Sequence, residues 1–322
     1  MQVYFYSPIA DTTLPNLNIY DDLIHQTKRG LEIWIHITYY MLKTHSKVIK
    51  PVLTSQIPDK GIIIFHKGFF PKNIKPNKNQ YFICVQADYG RHRYAQMHLV
   101  QNPFQVSNFK YSKRTLFDNA FSFNSTYFIT LWPQPSIKKR LSDRNNAIEN
   151  ISFYGNIQQV ENGLEDKLTN FCNNNNLRYV PRYDSLSWND YSNTDITLAI
   201  RSFTNNQYYH KPFSKLVNSL IAGCLVIAAP ESSSLFFKEK YYPHLPIVNS
   251  FDELKNEIIK IQKDPDIYFE HLKKSTNNIV DLLEVGVIAQ WEQMLFYAQK
   301  QFSLWQNAFS LNRALFLKYR SI

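Results

Sequence analysis

The stretch that decides the reading is His210–Ser234, HKPFSKLVNSLIAGCLVIAAPESSS. A basic loop with a proline enters a short amphipathic segment, a glycine ends it, and a continuous apolar run follows. With Ser214 at the N-cap, its hydroxyl can accept from the free backbone N–H groups of the first turn. Leu216, Val217, Leu220 and Ile221 then share one side of the helix, and Lys215, Asn218, Ser219 and Ala222 the other. Gly223 fits the left-handed position that follows a last helical turn. The run CLVIAAP (224–230) has the length and unbroken apolarity of a strand buried on both faces. Helix followed by buried strand is one step of a parallel α/β sheet.

The alternation continues on both sides. Upstream, VYFYSP (3–8), GIIIFH (61–66), QYFICVQAD (80–88) and YFITLW (127–132) read as strands, and residues 21–43 carry helical spacing. PQPSIKKRLSDRNNAIEN (133–150) is polar and proline-bearing, the composition of an exposed linker. The pattern then restarts with strands at 151–156, 177–181, 196–201 and 244–248 and a helix over 160–175. A further helix over 250–264 carries Ser250 and Glu253 as a capping box. The expected fold class is α/β, with Rossmann-like domains over 1–140 and 150–290. Residues 291–322 are expected to add a C-terminal helical segment, with a return to the N-terminal domain open.

Composition narrows the function classes. The 322 residues carry a net charge of +10, with 21 tyrosines and 23 phenylalanines. A basic balance suits nucleic acid, an anionic membrane or phosphate-bearing small molecules. The charge is spread along the chain and no recognition motif accompanies it, so nucleic acid is not expected as a partner. Cys84, Cys172 and Cys224 stand far apart, the usage of a reducing compartment without a disulfide framework. No CxxC or HxxxH spacing marks a structural metal site. MQVYFYSPI reads as a strand rather than a signal peptide. No apolar run reaches the roughly 18 residues of a membrane span. The expected location is cytoplasmic, with a peripheral position at the inner face of the membrane open.

In the opening stretch, Lys211 and Lys215 bring two cations to an electropositive helix start, a cradle for a diphosphate. A solvated helix start with ordinary surface lysines is the competing reading. Neither a Walker A pattern nor G-x-G-x-x-G is present. Arg201 ends the strand ITLAIR, where a guanidinium can reach a phosphate or sugar; an ion pair with Asp195 is the alternative. Gly155 and Asn156 end the strand ISFYGN, where a ligand can approach the backbone. Glu231 follows CLVIAAP and can accept from sugar or ribose hydroxyls, or cap the next turn.

HKPFSKLVNSLIAGCLVIAAPES resembles the donor-binding segment of GT-B glycosyltransferases, in the pattern K-P-x-[ST]-K-L-x-N-[AS]-x-x-A-G-x-x-x-I-x-x-P-E-S of a bacterial group. It also resembles the EKLxNAxxAGxxPV stretch of α-1,3-fucosyltransferases. Segments 85–103, 127–137, 191–203 and 244–268 look like recurrent pieces of the same bacterial group. Many retaining members carry a pair of glutamates here; aligned on Gly223, those positions are His210 and Asn218. The pair is absent, which leaves retaining and inverting outcomes both open.

The resemblance implies two Rossmann-like domains facing across a cleft. It implies transfer of a sugar from a nucleoside diphosphate or CMP donor to a glycan or lipid-linked glycan, in bacterial surface polysaccharide assembly. Arg201, Lys211, Ser214, Lys215, Asn218, Glu231, Gly155 and Asn156 are the donor-binding candidates. The positive groups would do the work of a metal, so no metal or other cofactor is expected. An inverting transferase needs a general base, and Asp88 and His92 are the candidates, with His66 and Asp11 behind them. His98 sits among apolar neighbours and reads as structural. A non-catalytic nucleotide- or glycan-binding protein with a degenerate fold of this kind is the rival reading.

Overall fold

In a computed structural model, the described residues are 2–9, 29–107, 121–134, 136–281 and 286–319. The chain is a mixed α/β protein with two parallel sheets and several C-terminal helices. It divides into two compact units. Unit 1 takes Met1–Trp132, Tyr209–Pro212 and Glu284–Ile322; unit 2 takes Pro133–Tyr208 and Phe213–Leu283.

Unit 1 is built on six parallel strands: β1 (Val3–Tyr6), β2 (Pro51–Thr54), β3 (Gly61–His66), β4 (Gln80–Val85), β5 (Met97–Val100) and β6 (Ser125–Phe128). Their order is β2-β1-β3-β4-β5-β6. Every residue of β3 and β4 is buried, as unbroken apolar runs require when both faces of a sheet are covered. β2 and β5 were not expected from the sequence: PVLT is short and part-exposed, and MHLV follows a polar loop. Helix α1 (Thr38–His45) is led in by a π-helical turn at Glu32–Ile37.

Unit 2 has four parallel strands: β7 (Asn150–Ser152), β8 (Arg178–Tyr179), β9 (Ile196–Ala199) and β10 (Leu225–Ala228), in the order β10-β9-β7-β8. Helices α2 (Leu164–Asn173), α3 (Ser214–Ala222), α4 (Ser232–Lys240), α5 (Phe251–Lys263) and α6 (Pro265–Asp281) belong to it. The expected strand at 244–248 reduces to one bridge, Ala228 with Ile247. Ser250 caps α5 through Glu253 N–H, and Glu253 answers to Asn249 N–H.

The polar 133–150 segment is not a free tether. Lys138 N–H donates to Asn189 O and Arg140 N–H to Ala222 O. Asp195, fully buried, accepts from the Arg140 and Arg144 guanidiniums and from the N–H groups of Glu149 and Asn150. Burial alone would raise the Asp195 carboxyl; the Arg144 bond, those two N–H groups and Arg140 outweigh it, so the group lies below its ordinary value. Two arginines that looked like surface charge thus fasten the segment to the edge of the sheet.

In unit 1, α7 (Val287–Asn307) buries Trp291, Met294, Leu295, Ala298, Phe302 and Trp305, one stripe at helical spacing. Trp291 packs on Phe5 at 5.9 Å and Phe302 on Tyr81 at 5.9 Å. α8 (Ser310–Tyr319) anchors through Phe316, fully buried against Phe123 and Trp305.

Candidate functional site

In an open parallel sheet, ligands bind outside the carboxyl ends of the strands, where the strand order reverses. Each unit has one such point. In unit 2 it lies between β7 and β9, because β8 and β9 flank β7 on opposite sides. In unit 1 it lies between β1 and β3.

Arg201 and Glu231 meet at the carboxyl edge of the unit 2 sheet. Arg201 follows β9, Glu231 follows β10, and the guanidinium Nη1 donates to Glu231 Oε2. The side chains are only 9% and 3% exposed. Asp195, the partner weighed for Arg201 from sequence, is instead taken by Arg140 and Arg144. Arg201 Nε and Glu231 Oε1 are buried without a protein partner. Burial pushes the Glu231 carboxyl above its ordinary value, while Arg201 and then Lys215 pull it back. The pair therefore holds one N–H donor and one carboxyl acceptor that no protein group satisfies.

Lys215 joins them. It is the second residue of α3, and its ammonium sits 4.8 Å from the centroid of the Phe153 ring. Gly155 has φ +149°, and a Cβ there would stand 3.2 Å from the Phe153 ring and 3.5 Å from Lys215 Cε. A side chain at 155 would therefore crowd both groups. Tyr208, missed from sequence, lies under the Arg201 guanidinium at 5.4 Å. Its φ of +44° is unusual for a bulky residue, and such strain gathers at binding sites. The only signal in the sequence was an aromatic pair after the asparagines of NNQYYH.

Other donor candidates take ordinary roles. Phe213, not Ser214, is the N-cap of α3, and no side chain caps it; Ser214 is already the first helical residue. Asn218 Oδ1 accepts from Gln134 N–H at 3.1 Å, so this amide holds the start of the 133–150 segment. Asn156 accepts from Gln158 N–H and caps the short turn Ile157–Gln159. Lys211 belongs to unit 1, where its ammonium pairs with Asp88 at 2.9 Å. Within unit 2, the groups brought together are Arg201, Lys215 and Glu231.

In unit 1, Asp88 follows β4 and accepts from Gln101 Nε2 at 2.8 Å as well as from Lys211. The adjoining Ala87 has φ +49°, a second strained residue at a strand end. His92 is excluded as a base: it is fully buried against Phe65 and Phe70. Its Nδ1 accepts from Tyr94 N–H, and its Nε2 donates to Pro71 O. His98 Nε2 lies 3.1 Å from His92 O inside the same core. His66 ends β3; Gly68 N–H donates to its Nδ1, so Nε2 carries the proton. Burial lowers the His66 pKa to about 4, with Asp88 acting the other way. His36, on the π-helical turn, meets Ser7 Oγ at 2.9 Å beyond the end of β1, and burial lowers it to about 4 as well. Asp11 lies outside the described residues. Among the described residues, no group of three or more His, Cys, Asp or Glu is placed to hold a metal ion.

No protein-family model matches the chain, and no curated protein matches it. Among solved structures, it is similar to sucrose-phosphate synthase from Thermosynechococcus elongatus, with a TM-score of 0.46, 15% identity and 73% of each chain covered. It is similar to S. aureus TarM in complex with fondaparinux, alpha-GlcNAc-glycerol and UDP, with a TM-score of 0.49 and 13% identity. That match covers 84% of this chain and 58% of TarM. AviGT4, a glycosyltransferase involved in avilamycin A biosynthesis, follows with a TM-score of 0.43, 9% identity and coverage of 75% and 74%.

Proposed function

We propose that the protein is a GT-B glycosyltransferase that moves a sugar from a nucleotide-activated donor to a glycan or glycoconjugate acceptor. The observation that carries this reading is the buried Arg201–Glu231 pair at the carboxyl ends of β9 and β10, with Lys215 between it and Phe153 beyond the end of β7. Its unsatisfied Arg201 Nε and Glu231 Oε1 suit a ligand that brings both an anion and hydroxyls. A nucleotide sugar has both. Arg201 and Lys215 would stabilise the leaving phosphate, helped by the amino end of α3. These fixed charges supply what a metal supplies in other transferases, so the reaction is proposed to be metal-independent. Glu231 would accept from ribose or sugar hydroxyls.

Unit 1 is assigned the acceptor, with Asp88 taking the proton of the attacking hydroxyl. The resemblance of His210–Ser234 to a bacterial group favours surface polysaccharide assembly as the setting. Three buried, unpaired cysteines suit the cytoplasm, where this reading puts the protein.

Thermal-shift measurements against UDP, GDP, ADP and CMP test the donor assignment. A ligand at 100 times its Kd adds about 2.7 kcal/mol to stability. One nucleotide class should raise the melting temperature, and Lys215→Met and Arg201→Met should abolish the rise. The rival reading, a non-catalytic binding protein, is favoured by Asn218: a position where relatives carry a glutamate here serves the backbone of Gln134. Nucleotide binding without transfer to any acceptor would support it. No response to any nucleotide would end the transferase reading and favour the rival in its glycan-binding form.

A further inference from the structure

From Gln293 to Ile322 the chain carries Lys300, Arg313, Lys318 and Arg320 and no acidic residue. On α7, the exposed Phe296, Lys300 and Leu304 recur at every fourth position and form one stripe. On α8, the exposed Leu311, Ala314 and Lys318 form a second stripe, at steps of three and four residues. Phe309, between the two helices, is 79% exposed, and Leu311, in the first turn of α8, is 66% exposed. Exposure this large on neighbouring apolar side chains calls for an explanation.

The corner is held firmly. Arg313 Nη1 donates to the carbonyls of Trp305 and Gln306, each at 3.2 Å, and so caps the end of α7. The inner side is filled by Trp305 and Phe316, at 5.7 Å from one another. Phe309 is therefore presented by an ordered corner, not by a frayed end. Trp305 Nε1 also donates to Asn77 O at 2.9 Å, which brings the loop 71–79 alongside. That loop exposes Lys72, Lys75 and Lys78. Asn77 Nδ2 donates to the Asp59 carbonyl at 3.2 Å, and Lys60 follows directly in the chain.

We propose that this face of unit 1 docks on an anionic lipid bilayer. Phe309, Leu311 and Leu304 would enter the boundary between headgroups and acyl chains, and the lysines would meet the headgroups. Among the described residues no helix is long and apolar enough to cross a membrane, so the contact is peripheral. A bilayer is favoured over an acidic protein because the apolar side chains stand out at a corner. A fluid acyl boundary admits such side chains, whereas a protein partner needs a matching pocket. The proposal does not rest on the transfer reaction, and its test uses neither donor nor acceptor.

The test is co-sedimentation of the full chain at low salt with vesicles of phosphatidylcholine, alone or mixed with phosphatidylglycerol. The wild type should pellet with the anionic vesicles, stay in solution with the neutral ones, and be released by salt. Phe309→Ser with Leu311→Ser should weaken binding by roughly tenfold or more. Lys300→Gln and Lys318→Gln should each weaken it roughly fivefold. Circular dichroism and melting should be unchanged in all variants, since these side chains are exposed. Failure of the wild type to bind anionic vesicles at low salt overturns the proposal, and so does wild-type binding by all variants. Capture of an acidic protein in place of vesicles would reassign the surface to a protein partner and also overturn it.

Discussion

The buried Arg201–Glu231 pair should contribute little to the stability of the fold while deciding nucleotide binding. The two side chains are 9% and 3% exposed, so both ions are almost wholly out of water. An ion pair at ordinary hydrogen-bond distance gains about 5 kcal/mol of attraction at an effective dielectric constant of about 20. Desolvation costs several kcal/mol for each ion. The unsatisfied Arg201 Nε and Glu231 Oε1 cost about 1–3 kcal/mol each in addition. The costs exceed the attraction, in line with a Glu231 carboxyl that burial raises against the pull of Arg201 and Lys215.

Arg201→Met with Glu231→Leu should therefore leave stability unchanged or raise it by about 1–4 kcal/mol. Glu231→Leu alone strands a buried guanidinium and should cost about 3–5 kcal/mol. The assay is urea unfolding of wild type, both single variants and the double variant, with thermal shift against the nucleotide panel on each. Because the folded Glu231 pKa is raised, its ionisation weighs against the fold. Stability should fall as pH rises from the ordinary value through the folded one, and Glu231→Gln should remove that slope. The reasoning is refuted if the double variant loses as much as Glu231→Leu at an unchanged m-value. It is refuted equally if the double variant keeps the nucleotide response.

Further expectations concern Asp195, Gly155 and Asp88. Asp195→Asn should cost about 3–5 kcal/mol, because it leaves two guanidiniums short of a buried partner. Since the folded Asp195 pKa is lowered, its contribution is present above the ordinary carboxylate value and lost as pH falls through the folded one. Urea unfolding between acid and neutral pH should show this slope in the wild type and not in the variant. Gly155→Ala meets a φ of +149° and the Phe153 and Lys215 side chains; about 1–3 kcal/mol of stability and most of the nucleotide response should go, read by melting with and without ligand. Asp88→Asn should lower kcat by about 100-fold to 10,000-fold and leave the nucleotide shift intact, measured by transfer assay beside thermal shift.

Much of the architecture is legible in local sequence. GIIIFH and CLVIAAP are unbroken apolar runs, and the structure buries every residue of β3 and β10. Gly223 ends α3 at φ +76°, as expected of a glycine after an amphipathic segment. The short strands β2 and β5 escaped notice because four residues are too few to show a period. In the candidate site, Arg201, Glu231 and Lys215 were each found as a residue at an element end. Their mutual contact was not found, because it joins positions 14 to 30 residues apart through three separate elements. His92 was misread for the same reason. A histidine in a basic loop looks reactive until Phe65 and Phe70 close over it.

Local chemistry alone determined that this chain alternates buried strands with amphipathic helices, spaces its three cysteines far apart, carries excess positive charge, and concentrates polar groups at the start of α3. Those properties follow from the side chain period and composition, which any short window reveals. Strand order, by contrast, is a long-range property. Only the tertiary structure decided that β7 and β9 lie side by side, that Arg201 pairs with Glu231 and not Asp195, and that Lys211 belongs with Asp88. A buried charge must find a partner wherever the fold brings one within reach, and no spacing along the chain encodes that distance.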